Sequence, residues 1–218
     1  MNAREMILNK IARTRGARGK TEKPVPLRPA LAAQEGGAGL DQFVRLAKSL
    51  GCGFSFIERI EEAPRVVAAL LSGQSLSHDI WLSDDETLAQ LQWQEAGLAL
   101  HADRSRDALD GVVAVTGAVA GLAETGAVVV ASSMRHPFAL GLLPDVHVVV
   151  LSADRVVAGM EDVWPLIRQA GGNRLPRAVS LVGGPSRTGD IEATLVMGAH
   201  GPRALHIVLV GEGQAPLS

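Results

Sequence analysis

The stretch GVVAVTGAVAGLAETGAVVVA, residues 111–131, decides the fold. Glu124 is the only charged residue between Asp110 and Arg135, so the segment is apolar enough to raise two readings: a membrane helix or a pair of buried strands. Its apolar residues are valine and alanine rather than leucine. Several glycines interrupt it, and a carboxylate sits near its middle. Those features favour two strands, buried on both faces, joined by a turn. Thr125-Gly126 marks that turn and places Gly126 at positive φ. Gly117 and Gly121 have the GxxxG spacing, which carries information only inside a membrane span.

Working outward, strands and helices alternate. Asp41–Leu50 has Phe43, Val44, Leu46, Ala47 and Leu50 on one helical stripe, with Gly51 just past its end. Phe54–Ile57 reads as a short strand, and Glu62–Leu71 as a helix with Pro64 in its first turn and Gly73 after it. Asp79–Leu82 is a strand, and Asp84–Gln94 a helix opened by acidic residues. Val112–Val115, Val128–Ala131, Val146–Leu151, Val179–Val182 and Leu205–Val210 are dense apolar runs that predict strands. Asp162–Ala170 and Ile191–Met197 predict helices between the later ones. Strands separated by helices predict right-handed crossovers and a mostly parallel sheet covered on both faces. No internal repeat is evident.

Composition narrows the function classes. The chain of 218 residues is 47% hydrophobic and 20% charged, which is the balance of a globular domain rather than a disordered one. Four Phe, three Trp and no Tyr leave few stacking platforms, which argues against single-stranded nucleic-acid binding. The one cysteine, Cys52, cannot form an intramolecular disulfide or supply an iron–sulfur cluster, and reads as a small buried residue. Residues 1–12 have no continuous apolar run, so a cytoplasmic chain without a leader or a membrane span is expected.

Charge is unevenly placed. Residues 1–30 hold eight Lys or Arg against Glu5 and Glu22, a net +6, which leaves −8 for the remainder. A basic arm of this kind can bind an acidic partner or nucleic acid, or simply be a solvated leader. Met6, Ile7, Leu8 and Ile11 predict one short helix within it, and Arg13–Ala38, rich in Gly, Pro and basic residues, a linker. The expected division is therefore residues 1–38 as helix and linker and residues 39–218 as an α/β domain.

The second half has the most specific sequences. Gly183-Gly184-Pro185-Ser186-Arg187-Thr188-Gly189-Asp190-Ile191-Glu192 is followed by His200-Gly201-Pro202-Arg203. Upstream lie Thr116-Gly117, Ala123-Glu124-Thr125-Gly126 and Leu143-Pro144-Asp145-Val146-His147. Read as TG…AETG…LPxxH…GPSRTxDIE…HGPR, this order resembles the lactate-utilisation protein C family, the LUD domain. The resemblance is clear from about Gly111 to Val210 and weaker from Leu40 onward. It implies a three-layer α/β/α fold like that of ribose-phosphate isomerase, CoA transferases and formyltetrahydrofolate cyclo-ligase. It also implies a part in oxidising lactate to pyruvate, beside two partner proteins that hold iron–sulfur clusters. No cofactor is expected on this chain itself, and the resemblance leaves its molecular task open.

The residues themselves offer candidates for that task. Gly183–Asp190 follows an expected strand and opens an expected helix, which would put it at the carboxyl edge of a parallel sheet. There Gly183, Gly184 and the backbone N–H groups could cradle a small organic anion, with Arg187 as clamp and Ser186 and Thr188 as donors. Against this, Asp190 and Glu192 bring negative charge to the same place, Arg187 could pair with Asp190, and Ser186 or Thr188 could be a helix cap. It is not a Walker A loop, for it has no lysine. His200 and Arg203, lying between helix and strand, are expected at the opposite edge from Arg187; Arg203 either pairs with a neighbouring acid beside a Gly201-Pro202 turn or is an interface or ligand residue. Glu124, with Thr125 and Gly126 beside it, is either a turn carboxylate or a functional one acting as general base or ligand anchor. His147, inside a valine-rich strand, is either a satisfied core histidine or a catalytic one. Its spacing from His136 and His200 does not make a metal site. Ser132, Ser133, Arg135 and His136 follow a strand and could line the same edge as Arg187. Two functions stay open: a non-redox component of a lactate-oxidising system, and a free-standing enzyme of isomerase or CoA-transferase type with Glu124 as base or nucleophile.

Overall fold

The computed structural model describes residues 2–16, 37–101, 112–133, 137–170, 175–189, 195–198 and 200–211. Its elements in chain order are α1 (Ala3–Gly16), α2 (Gly37–Ser49), β1 (Gly53–Ile57), α3 (Ala63–Gly73), β2 (Asp79–Leu82), α4 (Glu86–Ala89), β3 (Ala99–Leu100), β4 (Val113–Gly117), β5 (Ala120–Leu122), β6 (Val128–Ala131), β7 (Val146–Ser152), β8 (Val156–Val157), α5 (Met160–Ala170), β9 (Val179–Val182), β10 (Arg187–Gly189), β11 (Leu195–Met197) and β12 (Ala204–Val210).

The frame is a six-stranded, wholly parallel sheet in the order β1-β12-β7-β4-β2-β3. Its central strands are the valine-rich runs, and β7 shows why they are continuously apolar: six successive residues from Val146 to Leu151 are buried. Alternate residues feed opposite layers. Val146, Val148 and Val150 pack with Val67 and Leu71 of α3 and with Trp93, while Val149 and Leu151 pack with Phe43, Val44 and Ala47 of α2.

A second sheet, β8-β5-β6-β9, lies on the α2 side. The expected mostly parallel sheet is present as the six-stranded frame, but not every apolar run joins it. The runs Val128–Ala131 and Val179–Val182 pair antiparallel with each other, and β5 pairs antiparallel with β6. Helix α5 covers this sheet, packing Val163 and Ile167 against Ala120, Leu122 and Val129.

Two helices expected from sequence take other forms. The acidic start at Asp84 leads only to α4, a single turn. Asp85 Oδ1 caps it by accepting from Thr87 N at 3.0 Å and Leu88 N at 3.2 Å. The chain then bends so that Trp93, 1% exposed, donates from Nε1 to Leu88 O at 2.7 Å. Burying the indole outweighs continuing an exposed helix. The expected helix Ile191–Met197 ends instead as β11, pairing antiparallel with β10. Residues 191–194 lie outside the described residues.

Helix α1 exists as expected, longer than its apolar stripe, and Met6, Ile7, Leu8 and Ile11 on it are all exposed. Part of the expected linker is helical: α1 runs to Gly16 and α2 begins at Gly37. Among the described residues no helix is long and apolar enough to cross a membrane.

Candidate functional site

The two motif loops meet. Ser186 N donates to Pro202 O at 2.8 Å, Gly198 N to Ser186 O at 3.0 Å, and His200 N to Ser186 Oγ at 3.3 Å. Ser186 thus ties the GPSR segment to the HGPR segment. This reverses the expectation that Arg203 and His200 lie at the opposite edge from Arg187. It also moves the loop to the other end of the sheet. Gly53, Val146 and Ala204, the first residues of β1, β7 and β12, border the cleft that Arg187 and Arg203 line, so the cleft is at the amino edge. The carboxyl-edge expectation failed because β9, which precedes the loop, is not a strand of the parallel sheet but the edge of the second, mixed sheet. The helix-start argument for Gly183 and Gly184 falls with it, since β10 follows the loop. Thr188 pairs through its backbone with Val196. Asp190, Arg135 and His136 lie outside the described residues. Ser132 accepts from Ala178 N at 2.9 Å and sits at the Val179 end of β9, the end away from Gly183 and Arg187, so it does not share their edge.

The cleft has a volume of about 290 Å³. Arg187 is exposed and, among the described residues, has no ion-pair partner. Arg203 Nε stands 3.3 Å from Asp145 Oδ1, and both side chains are open to solvent. The Arg203 and Ala204 N–H groups donate to Asp145 O at 2.8 and 3.2 Å, which fixes the start of β12 against that of β7. His206 completes the wall. Its Nε2 is 2.9 Å from Ser55 Oγ, and burial holds its pKa below the ordinary 6.5. The sequence reading missed His206, whose only signal was membership of a strand, and Gly53, which stood just ahead of the expected strand Phe54–Ile57. Asp145 stood in the quoted LPxxH segment with no role attached.

The His206 shift has a stability consequence. The folded chain binds this proton less readily than the unfolded chain, because burial penalises the cation. Its contribution is therefore fully present above about pH 6.5 and is lost as pH falls through the folded value. Urea midpoints should drop on acidification below about pH 6.5 in wild type and drop less in His206→Gln. Equal pH slopes for both proteins would refute this.

Glu124 lies elsewhere, at the end of β5. Its Oε1 accepts from Met160 N, the first residue of α5, at 3.0 Å, and its own N–H donates to Ala158 O at 3.2 Å. Asp162 Oδ2 accepts from Gly159 N at 3.3 Å beside it. Two carboxylates therefore complement the positive end of α5. Thr125 Oγ1 accepts from Ala127 N at 3.3 Å, and Gly126 takes φ +74°, as the turn requires. Glu124→Ala should cost about 1 kcal/mol of unfolding free energy and Glu124→Gln roughly half that, since the amide keeps an acceptor. Equal losses in urea titrations of the two variants would reject this capping role.

His147 is fully buried, with Nε2 2.8 Å from Thr116 Oγ1. Burial raises the Cys52 thiol pKa to about 11, which keeps it protonated and unreactive. Among the described residues, no three of His, Cys, Asp and Glu gather to hold a metal ion.

These features define a parallel α/β-sheet protein with a second, mixed sheet and a cationic cleft at its amino edge. The LUD domain family profile matches residues 40–210, and the chain belongs to that family. It is 39% identical over 90 residues to lactate utilization protein C of Shouchella clausii, an alignment covering 40% of this chain and 39% of that one. The Bacillus subtilis protein of the same name is 36% identical over 93 residues, covering 42% and 39%. The Deinococcus radiodurans protein of that name is 34% identical over 130 residues, covering 55% and 58%. The first two alignments thus span about 39% of those relatives' length. A DUF162 family protein from Deinococcus radiodurans, known from a crystal structure, shares the fold. Its TM-score is 0.58 at 21% identity, covering 85% of this chain and 100% of that one.

Proposed function

We propose that this chain is a non-redox component of a lactate-utilising system, acting with iron–sulfur partner proteins as lactate is oxidised to pyruvate. The observation that supports this most is membership of the LUD domain family together with similarity to relatives named lactate utilization protein C. The non-redox part rests on composition: one cysteine cannot supply the thiolates of a cluster, so the electrons pass through partners. Glu124 is engaged in capping α5, and this gives the free-standing isomerase or transferase reading no support from geometry. The test is lactate consumption by the source organism with this gene deleted. Loss of consumption, restored by the wild-type gene, is expected. Unchanged consumption, with no duplicate gene present, would overturn the proposal.

A further inference from the structure

The amino-edge cleft has no part in the reading above, yet it is where the two most specific sequence motifs converge. We infer that it is a binding site for a small anion bearing a carboxylate or phosphate group, clamped by Arg187 with Arg203 and His206 as further donors.

Four observations lead there. First, the lining is one-sided in charge: Arg187 and Arg203 line the cleft beside His206, and among the described residues no acidic side chain lines it, although the whole chain has net charge −2. The nearest carboxylate, Asp145, pairs with Arg203 across an exposed contact in which the two side chains are 67% and 41% accessible. Such a pair is weak in water and yields to a better-placed anion. The carboxyl end of α3, represented by Gln74 in the lining, adds only a partial negative charge.

Second, the backbone of Arg187 is held in place. It begins β10, paired with Met197, and the preceding Ser186 is bonded to the loop that ends in Arg203. The two guanidinium-bearing segments are thus one unit. A guanidinium carried on a backbone fixed in this way is aimed from a constant point at the cleft, although its own side chain remains exposed.

Third, two glycines keep the wall open. A Cβ on Gly51 would collide with Arg187 Nη2, and a Cβ on Gly53 would collide with His206 Nδ1. At Gly53 the backbone packs directly against the imidazole ring, and at Gly51 a φ of +92° favours glycine and leaves room for the guanidinium as it now lies.

Fourth, size and polarity fit. A volume of about 290 Å³ is at the lower end of ligand sites and suits a molecule of a few heavy atoms. Leu70, Val146 and Leu205 give it an apolar side against the cationic one. His206 is neutral at neutral pH because of its burial, so an arriving anion gains a hydrogen-bond donor or holds a proton there.

The experiment is isothermal titration calorimetry of the full chain at low ionic strength with three probes: pyruvate, lactate and inorganic phosphate. At least one should bind, with affinity falling as salt is added. Arg187→Ala should weaken that binding at least about tenfold, the loss of one charge-assisted contact. Arg155→Ala, at the opposite end of β7, should leave it unchanged. Unaltered thermal melting of both variants shows that folding is intact. Binding by pyruvate or lactate identifies a carboxylate site, and binding by phosphate alone a phosphate site; both support the inference. No binding by any probe, equal affinity in Arg187→Ala, or equal weakening in Arg155→Ala overturns it. None of these outcomes alters the lactate-consumption test, so the two proposals fail separately.

Discussion

Replacing Gly126 by alanine should lower the melting temperature by on the order of 10 °C. Gly126 sits at φ +74° in the turn between β5 and β6. An added Cβ would lie 2.5 Å from Ala47 N, 2.7 Å from Leu46 C and 2.8 Å from Leu46 Cβ. Two costs add. The left-handed backbone costs a non-glycine residue about 1–2 kcal/mol. Forcing atoms into a packed contact costs about 1–3 kcal/mol more. The obstacle is mostly backbone of α2, and that helix cannot retreat, because Phe43, Val44 and Ala47 seat it in the core at 0%, 3% and 0% exposure. The sum is roughly 2–5 kcal/mol, and a domain of this size loses about 2–4 °C per kcal/mol. Gly73→Ala is the matched control. Gly73 ends α3, and a Cβ there meets nothing within 4 Å. The same chemical change at that position should leave stability unchanged or raise it by about 0.5–1 kcal/mol. Differential scanning calorimetry of the two variants decides the matter, and equal melting temperatures would show that the turn is not sterically fixed.

The same turn shows how far the sequence could be read. Thr125-Gly126 between two apolar runs predicted a tight turn with Gly126 at positive φ, and that follows from local chemistry alone. The apolar runs themselves announced buried strands, because burial on both faces requires unbroken apolar sequence. What they could not announce is direction. Val128–Ala131 and Val146–Leu151 look alike in composition, yet one runs antiparallel beside β9 and the other parallel beside β12. Placement of the GPSR loop depended on which sheet takes Val179–Val182, and because that run joins the second sheet the loop was expected at the wrong edge. The segment after it, with Asp190 and Glu192 ahead of apolar residues, has the local pattern of a helix start. Its end nonetheless pairs as β11 with β10, and tertiary pairing overrides a weak local preference. His206 was invisible for a different reason. Its position in the cleft comes from the register of β12 against β1, Gly53 opposite His206, and register is a property of two distant segments together.

The second large effect concerns the buried pair Thr116 and His147, two residues of recognisable motifs that meet in the interior. Thr116 lies on β4 and His147 on the adjacent β7, and both are 0% exposed. A buried polar group that loses its partner costs about 1–3 kcal/mol, whereas replacing both partners by apolar groups of similar shape can be nearly neutral. Thr116→Val should therefore destabilise by about 1–3 kcal/mol, chiefly by stripping His147 Nε2 of its 2.8 Å contact. His147→Leu should cost at least as much, because it strands the Thr116 hydroxyl between β2 and β7. The double variant should be less damaged than the sum of the two, with a coupling of about 0.5–3 kcal/mol in urea unfolding. Strict additivity would mean that the hydrogen bond contributes nothing. A catalytic histidine would behave differently. Its loss would abolish function at unchanged stability, and the second substitution would not restore anything. The contact lies beside Val148, Val149 and Ala114, all 0% exposed, and the double-variant cycle separates the stabilising role from the catalytic one.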